Sequence, residues 1–168
     1  MCIRHLLLQG LLLLGTYSTQ ASTEVEFHGS LIEAGCQIDA GSEAQEITFP
    51  ALSPAWFSQH LRGEPQLFKV SLTKCNPESG ATVFIKFENQ PNPDFPDLFS
   101  ITGEASGIAI ALETVEGETL KNGEKRMLGA IAAEEQDFSF NAFVQRLTAT
   151  GITPGNFTSL VNFLVEYD

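Results

Sequence analysis

Basic residues are scarce in this chain of 168 residues. Nine Lys and Arg stand against 21 Asp and Glu, which gives a formal net charge of −12. Nucleic acids and anionic lipid surfaces select proteins with a basic footprint, so the composition argues against both as main partners. The few Cys and His residues form no zinc-binding pattern, and no phosphate loop, nucleophile elbow or metalloprotease motif occurs. The sequence therefore predicts no catalytic residues, metal ligands or cofactor, and no enzymatic activity.

Carboxylates are abundant but dispersed along the chain. The densest group comprises Glu134, Glu135 and Asp137, and a charge run of this kind is typical of a solvated edge. A secreted hydrolytic module would need a carboxylate pair in a pocket. A carbohydrate-binding module would need aromatic platforms, and the chain contains a single Trp. Both classes lack positive support in the sequence.

The longest apolar run is too short to cross a membrane. Residues 6–14 are almost all Leu, whereas a membrane-spanning helix needs about 20 apolar residues. The basic Arg4 precedes the run, and small and polar residues follow it up to Ala21. This layout predicts a secretory signal peptide over residues 1–21, with cleavage after Ala21.

Two cysteines remain after the predicted cleavage, Cys36 and Cys75. An even pair in an exported chain indicates one disulfide, because free thiols persist mainly in reducing compartments. In the chain-entropy description, closing a loop of this size contributes about 4 kcal/mol. The third cysteine, Cys2, lies ahead of the leader's apolar run.

Short alternating segments dominate the remainder of the sequence. No stretch of ten or more residues has helical periodicity, and turn signals recur between segments with a period of two. We therefore expect an all-β sandwich of seven to eight strands. The clearest predicted strands are 66–75, 82–88, 107–115, 138–150 and 156–168, with a shorter one at 46–52. Residues 127–135 are ambiguous and fit a helical turn.

The end of the chain is unusually apolar. One face of the predicted final strand carries Phe157, Ser159, Val161, Phe163, Val165 and Tyr167. Chain termini are normally polar and frayed, so a strand that stays apolar up to the penultimate residue must be buried along its length. Its backbone needs partners on both sides or forms an exposed sheet edge.

Taken together, these segments resemble the pilin subunits of chaperone–usher fimbriae, such as type 1 and P pili. The resemblance rests on the run Val25-Glu26-Phe27-His28-Gly29-Ser30-Leu31-Ile32, on Cys36 and Cys75, and on an ending from Gly155-Asn156-Phe157 to Tyr167-Asp168. It implies an incomplete immunoglobulin-like sandwich that lacks its final strand. It also implies a structural subunit of an adhesive fimbria that polymerises by donor-strand complementation and exchange.

The resemblance further implies partners and site residues. A periplasmic chaperone and an outer-membrane usher would handle the subunit, which would reach a cell-surface fimbrium of a Gram-negative bacterium through the periplasm. Residues 22–35 would form a donor extension merging into the first strand, and residues 36–168 the pilin domain. The donor residues would be Thr23, Val25, Phe27, Gly29 and Leu31. The acceptor groove and chaperone contact would use Phe157, Val161, Phe163, Val165, Tyr167 and Asp168.

Position within the fibre and contact with a host are separate questions. The predicted extension ahead of Val25 is short, which favours a minor or tip-adaptor subunit over the main shaft protein, and a terminator at the base is a further alternative. A single-domain adhesin or cap would instead bind a host receptor through its loops, with Trp56 and Phe57 in residues 54–65 as the contact. We favour these aromatics as a plug at one end of the sandwich, with any host receptor reached through an associated adhesin.

Overall fold

Alternation of apolar and polar residues produces strands in most of the computed structural model, which describes residues 35–148 and 150–168. Within these residues the strands are β1 Gln37–Ile38, β2 Gln66–Thr73, β3 Thr82–Glu88, β4 Thr102–Gly103, β5 Ile108–Thr114, β6 Thr119–Leu120, β7 Lys125–Ala130, β8 Gln136–Arg146, β9 Phe157–Thr158 and β10 Asn162–Tyr167. Two four-residue helices, α1 Ala40–Glu43 and α2 Pro54–Phe57, and a short 3₁₀ helix at Pro77–Ser79 lie in the connections. The expected all-β class is confirmed.

The strands pair antiparallel in three sheets. The largest sheet has the order β1-β2-β8-β5-β6, the second has β10-β3-β7, and a small sheet pairs β4 with β9. Strand β8 pairs with β2 along residues 136–142 and with β5 along residues 140–146, so its middle residues have hydrogen-bonded neighbours on both sides. The large sheet and the β10-β3-β7 sheet form the two layers of the sandwich.

The core lies between these layers. Many of the residues least exposed to solvent come from the alternating inner positions of β2, β3 and β8, including Val70, Val83, Ile85, Phe140 and Val144. Burying each of these large side chains fully contributes about 1.5–3 kcal/mol, offset by the entropy lost on ordering. Among the described residues, no helix has the length and apolar character needed to cross a bilayer.

The predicted disulfide is present. Cys36 is bonded to Cys75, and it directly precedes β1, whose Gln37 pairs with Thr73 of β2. The bond therefore closes the loop at the point where the described chain enters the large sheet.

Three local expectations were wrong in detail. Residues 46–52 form no strand, because their backbone makes no hydrogen bond to the backbone of another described residue. The ambiguous segment 127–135 contributes to strand β7 instead of a helical turn, because its backbone pairs with β3. The final strand is divided into β9 and β10, because these pair with different strands. The predicted signal peptide lies outside the described residues.

Candidate functional site

An apolar groove of about 1150 Å³ runs between the inner faces of the sheets. Side chains from both layers line it, among them Val70, Phe87, Ile110 and Val144, which are themselves core residues. A groove lined by core residues differs from a polar surface cleft, because any segment that occupies it becomes part of the hydrophobic core. Its long boundaries, or rims, are two extended stretches of chain.

The first boundary, which we call the C-terminal rim, consists of residues 152–163. From Phe157 onward its side chains alternate between half-buried and exposed positions: Phe157, Val161 and Phe163 face the groove and pack on the core, whereas Leu160 is 81% exposed. In the part of the chain that the structure describes, strand β10 pairs with β3 alone. One edge of β10 therefore offers N–H and C=O groups to a further strand.

The second boundary, the N-terminal rim, consists of residues 44–52. Ile47, Phe49 and Leu52 are half-buried, and the residues between them are exposed. The side-chain amide of Gln45 donates a hydrogen bond of 2.7 Å to the Lys69 carbonyl, but the backbone of this rim bonds to no other described backbone. Two stretches of backbone with hydrogen-bonding groups that pair with no other described strand thus flank one apolar groove, which is the arrangement that accepts an added β-strand.

Aromatic rings contribute to the groove's lining and connect its two rims. Phe49 of the N-terminal rim lies with its ring centroid 6.3 Å from that of Phe157 on the C-terminal rim. Phe87 lies 6.2 Å from Phe163 and 5.2 Å from Phe140 in the same measure. These edge-to-face and tilted contacts are favourable ring geometries, and they join both rims to the aromatic part of the core.

The far end of the C-terminal strand packs against the disulfide region. Val165 and Tyr167 are half-buried against the core, beyond the groove itself. The Tyr167 hydroxyl donates a hydrogen bond of 3.2 Å to the Cys36 carbonyl, and burial raises the pKa of this hydroxyl. A Cβ added at Gly35 would come within 2.6 Å of the Tyr167 ring, so only glycine allows this close approach.

Asp168 extends the pairing of β10 with β3 to the last residue of the chain. Its N–H and C=O pair with Thr82 at 3.1 and 2.7 Å, and its carboxylate lies 3.4 Å from Lys125 Nζ. Lys125 Nζ also lies 2.6 Å from the Glu166 carboxylate, and this hydrogen bond raises the pKa of Lys125. The end of the chain is therefore fixed by backbone pairing, while the Asp168 side chain stays exposed.

The structure thus separates the predicted acceptor residues into two groups. Phe157, Val161 and Phe163 lie along the groove, whereas Val165, Tyr167 and Asp168 lie beyond it. The predicted donor residues Thr23, Val25, Phe27, Gly29 and Leu31 lie outside the described residues. The sequence reasoning missed the N-terminal rim, although the alternation of Ile47 and Phe49 was a usable signal.

The carboxylate group at 134–137 and the aromatic pair Trp56 and Phe57 lie outside the groove's two rims. Asp137 of the carboxylate group pairs with Lys69 at 2.8 Å, both side chains are more than half exposed, and the hydrogen bond lowers the pKa of Asp137. No cluster suited to a metal ion occurs among the described residues. The plug interpretation holds for Phe57, which is 3% exposed, but is wrong for Trp56, which is 38% exposed and stacks on His60.

A sandwich that is open along one edge, with an apolar groove beside its last strand, defines the class of incomplete β-sandwich subunits. The particular family follows from comparison: the model of the family described as fimbrial protein matches residues 25–168, and the chain belongs to that family. It is therefore a structural subunit of a bacterial cell-surface fimbria and not an enzyme.

Relatives and solved structures agree with this assignment. The chain is 27% identical to the Fimbria A protein of Serratia marcescens, covering 92% of this chain and 89% of the relative. It is also 27% identical to the Major MR/P fimbria protein of Proteus mirabilis, covering 88% and 85%. The P pilus rod subunit PapA shares the fold, with a TM-score of 0.72 and 23% identity over 80% of this chain and 100% of that one. The incomplete sandwich of the pilin fold is thereby confirmed.

Proposed function

We propose that this subunit polymerises by accepting an extended donor segment into its groove. The observation that carries the proposal is the pair of chain stretches, 44–52 and 152–163, on either side of one apolar groove, where β9 and β10 each pair with a single described strand. A donor strand would satisfy both edges with main-chain hydrogen bonds, and its alternate side chains would enter the groove. An unprotected groove of this kind favours aggregation, so another chain must cover it before assembly.

The donor is the N-terminal segment of a neighbouring subunit. In this chain, residues 22–35 would serve that role for the next subunit, with Thr23, Val25, Phe27, Gly29 and Leu31 on one face. At about 1.5–3 kcal/mol for each fully buried large side chain, Val25, Phe27 and Leu31 together contribute several kcal/mol. Gly29 would lie where the neighbour's groove admits no side chain.

Export and protection precede assembly. Residues 1–21 would direct the chain to the periplasm and be removed, leaving the extension and the pilin domain at 36–168. A periplasmic chaperone would lend a strand to the groove, with basic chaperone residues binding the Asp168 carboxylate, and an outer-membrane usher would exchange that strand for the donor segment. The short extension favours a minor or tip-adaptor position, and any host receptor would be bound by an associated adhesin.

A synthetic donor peptide tests the proposal directly. The exported full chain is purified from the periplasm, and a peptide of residues 22–32 is added while the melting temperature is followed. At 100 times its dissociation constant, a ligand that binds only the folded state adds about 2.7 kcal/mol, which for a chain of this size raises the melting temperature by about 5–10 °C.

A matched peptide carrying Phe27→Asp serves as the control. It has the same length and backbone, and it should leave the melting temperature unchanged, because a carboxylate cannot enter an apolar groove without a large desolvation cost. A stable monomer indifferent to both peptides contradicts the proposal. Equal stabilisation by both peptides contradicts the role of Phe27.

A further inference from the structure

The C-terminal rim is interrupted where it changes sheets. Strand β9 pairs with β4, and strand β10 pairs with β3. Between them, residues 159–161 belong to no strand, yet side chains on both sides of the break face the same groove. A break without ladder hydrogen bonds is a place where the two halves of an edge can shift relative to one another.

A cluster of polar side chains, which we call the polar junction, lies at this break. It consists of Asn89 after β3, Ser100 before β4, Asn122 before β7 and Ser159 after β9. The Ser159 hydroxyl donates a hydrogen bond of 2.7 Å to the Ser100 carbonyl. The Asn89 side-chain Nδ2 donates to the same carbonyl at 2.9 Å and lies 3.4 Å from Ser159 Oγ. The junction therefore links the rim to chain segments that belong to other parts of the sandwich.

Asn89 is held in place independently of the rim. Its backbone N–H donates to Asn122 Oδ1 at 3.0 Å, and Asn122 Nδ2 donates back to the Asn89 carbonyl at 3.2 Å. The Ser100 N–H donates to Asn89 Oδ1 at 3.2 Å. With these bonds, Asn89 and Ser100 form a fixed support, and the Ser159 hydroxyl is the side-chain group through which the break attaches to it.

We infer that Ser159 is a positioning residue for donor binding. Its hydroxyl fixes the break so that Phe157 on one side and Val161 on the other stay aligned along one groove. A rim fixed in advance avoids the ordering cost that a loose rim incurs when a ligand binds. This inference rests on the proposed function. It assigns a role to Ser159, which is the one polar residue on the otherwise apolar face that runs from Phe157 to Tyr167.

Three variants of the full chain test the inference, with the peptide of residues 22–32 as the probe. Ser159→Ala removes the tether, and Ser159→Thr keeps the hydroxyl. Thr102→Ala is the matched control, because the Thr102 hydroxyl also contacts the C-terminal segment, 3.1 Å from Thr158 Oγ1, but within the paired strand β9 and not in the break. The measurements are the peptide dissociation constant, the melting temperature without peptide, and amide hydrogen exchange at residues 157–161.

Ser159→Ala should raise the dissociation constant about three- to tenfold, the range of one net hydrogen bond, and should accelerate exchange at the break. Thr102→Ala should bind the peptide normally, and its melting temperature should fall by no more than that of Ser159→Ala, because the Thr102 contact is exposed. Ser159→Thr should restore binding. Equal losses in Ser159→Ala and Thr102→Ala, or unaltered binding by Ser159→Ala, overturn the inference.

Failure of the inference and failure of the proposed function are distinguishable. If the wild-type chain does not bind the peptide, the proposed function and this inference fail together. If the wild type binds normally and Ser159→Ala binds equally well, only the role of Ser159 is wrong.

Discussion

The closed and open sides of this sandwich use the same residue types with different results. On the closed side, β2 and β5 flank β8 at residues 140–142, and Phe140 is 1% exposed. On the open side, β10 is paired in the described chain with β3 alone, and Phe163 is half-buried. Both phenylalanines occupy inward positions of alternating strands. Their different burial follows the number of neighbouring strands and not the residue pattern, and burial governs how much a side chain can stabilise the fold.

The largest change in the free energy of unfolding is expected when a buried side chain on the closed side is truncated. Phe140→Ala should lower the free energy of unfolding by about 3–5 kcal/mol, because it leaves a cavity among Phe68 and Phe87. Chemical denaturation with and without the donor peptide measures it, and the deficit should persist with peptide. Leu67→Ala in the paired strand β2, where the side chain is largely exposed, should change stability by less than about 0.5 kcal/mol. A small Phe140→Ala effect contradicts the distinction between the two sides.

A substitution on the open side should change the free energy of unfolding by less, and the size of the change should depend on whether the donor peptide is bound. Phe163→Ala should cost about 1 kcal/mol without peptide, because its ring is only half-buried, and about 2 kcal/mol of peptide binding energy, because the donor completes its burial. Isothermal titration and denaturation separate the two quantities. Met127→Ala, an exposed position in β7 of the same sheet, should leave peptide binding unchanged. If Phe163→Ala lowered the free energy of unfolding equally with and without peptide, Phe163 would belong to the closed core.

The smallest effect should come from surface ion pairs, which do not distinguish the two sides. Asp137→Asn removes the pair with Lys69 and should lower the melting temperature by at most about 3 °C at neutral pH. The hydrogen bond from Lys69 lowers the pKa of Asp137, so the pair stabilises the fold above the ordinary pKa of Asp. That contribution is lost as the pH falls through the lowered pKa.

Melting curves recorded at a series of pH values give the difference in melting temperature between the wild type and Asp137→Asn. This difference should disappear in acid. Glu166→Gln, which weakens the contact with Lys125 at the open edge, should have an equally small effect on melting. A difference that grows in acid has the wrong sign for this pair.

Local pattern predicted much of the fold. The strand at 82–88 matches β3, the strand at 66–75 contains β2, and the disulfide between Cys36 and Cys75 is present. Each depends on features that lie within a short window or, for the cysteines, on an even count in an exported chain. The site was predicted less completely: the C-terminal face was recognised from its pattern, whereas the role of residues 44–52 as the opposite rim was not.

The sequence by itself determined that alternate residues from Phe157 to Tyr167 form one apolar face, because the period of two is a local property of extended backbone. Only the tertiary structure decided that this face is divided between two sheets at Ser159, that residues 44–52 form the opposite rim, and that Phe57 is buried while its neighbour Trp56 is exposed. Those outcomes depend on which distant segments pair, and strand pairing is set by packing across the whole sandwich.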